Sequence, residues 1–261
     1  MTTFKRYTMS KIYRQEDKID GLILSRIRVG TQTDKDLEAL NHNVTVKCHP
    51  KATVLTPWRR VMHKVNDEML NRLDSKEYVF TSTRVGSYKK YDKDPPFPDT
   101  LRLKEGCRIV IKTNDKRTVA GYMQTLVNGQ AGTFWGLDKY SRLIVQLDDG
   151  VEVYIKPKKS EAIRKDIDED GNTIDVVTGS FKQYPVRLGY CMTVHSSQGS
   201  TLERVHLMLG NGKPFAPGLL YVALSRIKSL KRLTLSRNLL HSDNLVQDRI
   251  QIPKEEQYEL C

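Results

Sequence analysis

The sequence predicts an α/β fold, a parallel sheet with helices on both faces that is interrupted by a small inserted β-barrel. Three observations predict it. Strand-then-helix units stand toward both ends of the chain, several short strands crowd the middle, and an Asp-Gly turn joins two of them. The 261 residues suffice for one large or two modest domains with a real core.

Residues 16–28, EDKIDGLILSRIR, put Ile19, Leu22, Ile23 and Ile27 at helical spacing, with Gly30 as the stop. A second short helix is expected from Thr33 or Asp34, where a cap precedes acidic first-turn residues. ATVLT at 52–56 reads as a short buried strand, and after Pro57 comes a helix with Val61, Val65, Met69 and Leu73 along one face. Residues 84–100, rich in Lys, Tyr, Asp and Pro, read as an exposed loop. From 107 the pattern turns to β with CRIVIKT, GTFWGL, RLIVQL and VEVYIK, the last two flanking Asp148-Asp149-Gly150. RVHLML (204–209) and RLTLS (232–236) read as strands, with a helix across 217–226.

Composition narrows the function classes. Hydrophobic residues make up 38% and charged residues 28%, a mix that reads as folded rather than disordered. No apolar run approaches the roughly 20 residues needed to cross a bilayer. The first residues, MTTFKRYTMSKIYRQ, carry basic side chains with no apolar stretch after them, unlike a signal peptide. An intracellular protein, cytoplasmic or nuclear, is expected. Cys48, Cys107, Cys191 and Cys261 form no CxxC pair, which argues against a zinc site or a disulfide framework. The formal charge of +12 suits a polyanionic partner such as nucleic acid, or simply a soluble basic protein.

Two segments imitate ligand loops. Residues 166–177 open like a calcium loop with Asp166, Asp168, Asp170 and Gly171, but the twelfth residue is Val177 where a bidentate Glu is needed. A charged hairpin with an Asp-Gly turn is expected instead. LGNGKPF at 209–215 has one residue between its glycines and Pro214 after Lys213, so it cannot cradle a triphosphate as GxxxxGK[ST] does. No other segment fits that pattern.

Residues 185–201, PVRLGYCMTVHSSQGST, form an apolar strand (Val186, Leu188, Tyr190, Met192) that ends in small hydrogen-bonding residues. In α/β folds ligands bind beyond the carboxyl ends of strands, so the location suits a site, though alone it also reads as an ordinary polar turn. FAPGLLYVALSRIKSL at 215–230 reads alone as an amphipathic helix with Arg226 in solvent. Together, T-V-H-S-S-Q-G and YVALSR resemble the fifth and sixth signature motifs of superfamily 1 helicases, and the Ser-Gln-Gly ending resembles the Pif/RecD branch. MSKIYRQEDKIDGLILSRIRVG, ATVLTPWRRVMHKVNDEML, and LRLKEGCRIVIKTND with LVNGQAGTF resemble further parts of that family's C-terminal half. At the family's L-x-P-T-N segment, Trp58 and Arg59 stand in place of the usual residues. The resemblance covers about residues 9–240.

The resemblance implies the second of two RecA-like motor domains, with ATP held between them and single-stranded DNA as the track. It divides the chain into a helical lead-in (1–50), a first part of the RecA-like domain (51–130), the inserted barrel (131–184), a second part (185–240) and a tail (241–261). Arg226 is then the arginine finger, and Arg14 a second γ-phosphate contact. Gln198 and Gly199 line the nucleotide, Thr193 and His195 face the single strand, and Asn128 is a further DNA contact. The barrel guides the strand or holds the duplex junction. ATP and magnesium are implied only when a Walker-containing first motor domain completes the chain, in trans or in a longer polypeptide; the resemblance places no metal ligand here. The alternatives are a non-catalytic module that binds single-stranded nucleic acid, or the remnant of a disrupted helicase gene.

Overall fold

The computed structural model describes residues 15–45, 47–86, 97–119, 122–168, 171–210 and 216–246. Its elements begin α1 (Lys18–Val29), α2 (Asp34–Asn41), β1 (Thr53–Thr56), α3 (Arg59–Asn71), β2 (Glu77–Thr81), β3 (Thr83–Gly86) and β4 (Thr100–Lys104). They continue with β5 (Arg108–Ile111), β6 (Asp115–Val119), β7 (Tyr122–Leu126), β8 (Ala131–Leu137), β9 (Leu143–Leu147) and β10 (Glu152–Ile155). The last are β11 (Lys158–Ile167), β12 (Thr173–Gln183), β13 (Val186–Leu188), β14 (Cys191–Thr193), β15 (Val205–Leu207), α4 (Leu219–Leu224) and β16 (Leu233–Leu235). Two compact units result, one from both ends of the chain (up to Met62 and from Met192), the other from His63–Cys191.

The first unit holds a four-stranded sheet ordered β14-β1-β15-β16, in which β1 and β15, and β15 and β16, run parallel. Thr53–Thr56 is buried throughout, as its apolar run predicts. α1 is capped by Asp17, whose side chain accepts the Ile19 N–H at 2.8 Å, and stops at Gly30. Its inward face is rotated from expectation. Ile23, Leu24 and Ile27 are buried with Asp20, whereas Ile19 is 64% exposed. Asp20 sets that rotation, because its carboxylate accepts the Leu230 N–H at 2.7 Å. α2 begins with the expected cap, a reciprocal box between Thr33 and Asp36. The Arg26 guanidinium beside Asp36 holds that carboxyl below its ordinary range. Within this unit α1 packs on α4.

The second unit is β-rich. Its principal sheet is ordered β10-β9-β8-β5-β13, and Ile109, Phe134, Leu143, Val145, Ile155 and Val186 belong to the core that it helps to build. β9 alternates buried and less buried positions, as a half-buried strand must. The Asp148-Asp149-Gly150 turn joins β9 to β10 as predicted, with antiparallel pairing from Glu152↔Gln146 to Ile155↔Leu143. The barrel expected at 131–184 is not confirmed, because no sheet closes on itself among the described residues. β10 and β13 remain separate edges, and β12 pairs with β11 and β3 instead of bridging them. The Asp-rich segment does turn a hairpin, with Asp168 and Asn172 bonded across it at 3.0 Å.

Two further readings change in the structure. The stripe Val61, Val65, Met69, Leu73 is only part-buried, and the buried residues of α3 are Asn66 and Leu70. Asn66 turns inward to satisfy a backbone. Its amide donates to Cys191 O and accepts from Cys191 N–H, both at 2.9 Å. The single strand expected over 186–192 is two. β13 pairs antiparallel with β5, while β14 joins the four-stranded sheet. The break falls at Gly189, where a Cβ would stand 2.8 Å from the Ile109 carbonyl carbon.

Candidate functional site

β14 ends the four-stranded sheet at Thr193, and the chain turns at once through a 3-10 turn, His195–Ser197. Hydroxyls build this turn. Buried Thr193 accepts the Ser196 N–H on Oγ1 at 3.2 Å and donates to Ser196 Oγ at 3.0 Å. Ser196 Oγ donates back to Thr193 O at 2.9 Å, and the fully buried Ser197 donates to Val194 O at 2.7 Å. The Val194 N–H reaches Thr56 O at 3.0 Å and ties the turn to β1. His195 and Gln198 are left exposed at its surface. Gly199 follows with φ +84° and open space where a Cβ would stand, so handedness and not crowding favours glycine there.

The second segment is α4 and its exit. Leu219, Leu220, Ala223 and Leu224 are buried, which fastens the helix and leaves Arg226 part-buried just beyond it. The Arg226 guanidinium donates from Nε to Val222 O at 3.0 Å and from Nη2 to Ser225 Oγ at 2.9 Å. The two segments meet. Leu202 N–H donates to Arg226 O at 2.9 Å, Leu202 bridges Ile227 in parallel, and α4 packs on the 3-10 turn.

Five expected site residues, Thr193, His195, Gln198, Gly199 and Arg226, therefore lie on two joined segments of one unit. Arg14 falls outside the described residues. Asn128 belongs to the other unit, exposed in the turn between β7 and β8, where its N–H donates to Asn114 Oδ1 at 2.8 Å. Exposed imidazole and amide groups with a nearby guanidinium can donate hydrogen bonds to anionic oxygens. Among the described residues no group of three His, Cys, Asp or Glu gathers to hold a metal ion. No helix among them is long and apolar enough to cross a membrane.

Sequence reasoning missed the supports. Ser225 accepts from its neighbour Arg226 although its residue type alone gave no sign of that role, and the Leu202–Arg226 bond joins residues that no short spacing reveals. Trp58 shows a related effect. Its ring lies on Gly210, where a Cβ would stand 2.1 Å from the indole, so this aromatic departure from the family pattern packs against bare backbone.

No protein-family model matches the chain. The ATP-dependent DNA helicase Pif1 of Bdellovibrio bacteriovorus is 32% identical over 238 residues, which are 89% of this chain and 50% of that protein. The human ATP-dependent DNA helicase PIF1 is 27% identical over 235 residues, 86% of this chain and 34% of that protein. The crystal structure of Bacteroides sp Pif1 in complex with ADP-AlF4 superposes with a TM-score of 0.74 at 21% identity, over 91% of this chain and 53% of that one. The same protein bound to ssDNA gives a TM-score of 0.66 over the same shares. These structural likenesses show the fold. The chain resembles Pif1 helicases along most of its length, and spans about half, or less, of the curated relatives it matches.

Proposed function

We propose, from this likeness, that the chain is the second motor domain of an ATP-dependent DNA helicase and acts only with a Walker-containing half, in a longer polypeptide or as a separate partner. One observation carries the reading. The segments that resemble the fifth and sixth helicase motifs are joined by the Leu202–Arg226 hydrogen bond, beyond the turn that follows β14.

ATP with magnesium supplies the phosphoryl group whose hydrolysis drives such motors. The donors of this chain suit one side of a nucleotide, whereas carboxylates for the metal are assigned to the Walker-containing half. Arg226 exchanges its bonds to Val222 O and Ser225 Oγ for phosphate oxygens and stabilises the charge developing on them. Its planar fork can bind two oxygens at once, which Lys cannot. Arg14 is the second γ-phosphate contact, and Gln198 and Gly199 line the nucleotide. His195 meets the single strand directly, while Thr193 acts on it through the turn that it holds. Asn128 adds a DNA contact from the β-rich unit, which guides the strand. Contacts to backbone and stacked bases need no sequence readout, as translocation requires.

The test is DNA-stimulated ATP hydrolysis by the purified chain, alone and mixed with a Walker-containing first half. Turnover only in the mixture is expected; turnover by the chain alone sinks the reading. Oligothymidylate binding by the chain is expected to weaken steeply between about 50 and 200 mM salt, because phosphate neutralisation dominates such contacts.

A further inference from the structure

The β-rich unit carries a pocket that the motor motifs do not explain. It is open to solvent, encloses about 590 Å3, and is lined by Tyr140, Ser141, Arg142, Lys156, Pro157 and Lys182. That volume lies within the roughly 300–1,000 Å3 of small-ligand pockets.

The rim is braced. Asp138 Oδ1 accepts the N–H groups of Tyr140 and Arg142, both at 2.9 Å, while Oδ2 accepts Arg142 Nε at 2.5 Å. Burial opposes the charge on Asp138, but these charge-assisted bonds together outweigh it and hold the carboxyl below its ordinary range. Ser141 has φ 56°, the sole positive value at a non-glycine residue among those described. Tyr184 holds that conformation by donating its hydroxyl to Ser141 O at 2.6 Å. Such a conformation persists only where its surroundings over-determine it.

The consequence is an aromatic ring set among cations. Tyr140 is 65% exposed, and the Arg142 guanidinium lies 5.1 Å from its ring centroid and 4.8 Å from that of Tyr154. Arg142 is spoken for by Asp138, but Lys156 and Lys182 are exposed and have no ion pair among the described residues. A stacking face beside unpaired ammonium groups matches the chemistry of single-stranded nucleic acid, a base next to a phosphate.

We propose that this pocket is a one-nucleotide subsite for single-stranded nucleic acid, with a base stacked on Tyr140 and the adjoining backbone phosphate held between Lys156 and Lys182. The proposal rests on the single-strand binding assigned above and adds to it a contact built by the β-rich unit.

The experiment measures fluorescein-labelled oligothymidylate binding to the full 261-residue chain by anisotropy across a salt series, with circular dichroism as a check on folding. Tyr140→Ala is expected to weaken binding about tenfold, while Tyr140→Phe, which keeps the ring, retains it. The double variant Lys156→Ala/Lys182→Ala is expected to lower the slope of log affinity against log salt by about 0.7, the loss of one phosphate contact. Folded pocket variants that bind as the wild type does, while His195→Ala weakens binding, overturn the pocket and leave the single-strand reading standing. A wild-type chain that binds no oligonucleotide even at low salt overturns both. Displacement by polyglutamate as readily as by unlabelled oligonucleotide identifies a generic polyanion surface and also overturns the subsite.

Discussion

The turn after β14 and the turn after β8 use the same device in opposite ways. At 193–199, three hydroxyls and two backbone carbonyls fold the chain over seven residues, and every hydrogen-bond brace described there but one comes from within the turn. At 138–142, Asp138 gathers the loop locally, but Tyr184 secures it and Lys156 and Lys182 complete the pocket. The first turn is a local object whose residue types and spacing announce it. The second acquires its chemistry when β10 and β12 deliver side chains from far along the chain. Local constellations can be recognised as motifs; assembled ones need the sheet.

The largest expected effect tests the local object. Arg226→Ala, in a motor completed by a Walker-containing half, is expected to lower ATP turnover by about three to five orders of magnitude. Oligonucleotide affinity, measured alongside, is expected to stay within about twofold, since phosphate and strand contacts are assigned to different side chains. Loss of DNA binding instead removes Arg226 from the nucleotide.

Asn66→Ala comes next. It removes two buried hydrogen bonds to the Cys191 backbone, at a cost of about 2 kcal/mol. Urea denaturation reads the loss, and a value near zero means that the chain re-pairs this backbone elsewhere. Tyr184→Phe sharpens the comparison directly. It removes only the hydroxyl that holds Ser141, with an expected loss of about 1 kcal/mol in stability, and it weakens oligonucleotide binding if the braced loop is the reading surface.

The smallest effect lies in the sheet that carries the site. Burial disfavours the charged form of His206, which bonds Thr234 Oγ1 at 3.0 Å, so its pKa sits below the ordinary 6.5. The unfolded chain therefore takes up this proton first as pH falls. The contribution is intact above about pH 6.5 and is lost as pH drops from there through the folded value. Thermal unfolding is expected to shift downward from pH 7 to pH 5, and less so in His206→Gln.

Much of the molecule was legible beforehand, for identifiable reasons. The Thr33 cap, the Gly30 stop, the buried Thr53–Thr56 strand and the Asp-Gly hairpin obey rules that span only a few residues. Errors arose where a distant partner decided. Asp20 and Asn66 turned their helices by bonding backbone groups at Leu230 and Cys191, against the purely apolar stripes. Gly189 split a continuous-looking strand because β5 passes too close for a Cβ.

By itself the sequence determined the α/β class, the basic surface, the two motif segments and the residues they carry, since spacing, charge and turn chemistry are properties of neighbours along the chain. Tertiary structure alone decided that β12 would pair with β3, with no closed sheet among the described residues, that Leu202 would join Arg226, and that Tyr140 would stand beside Lys156 and Lys182. These outcomes depend on which strands pair and in what register, and pairing is set by the whole core's burial, which no short window of residues contains.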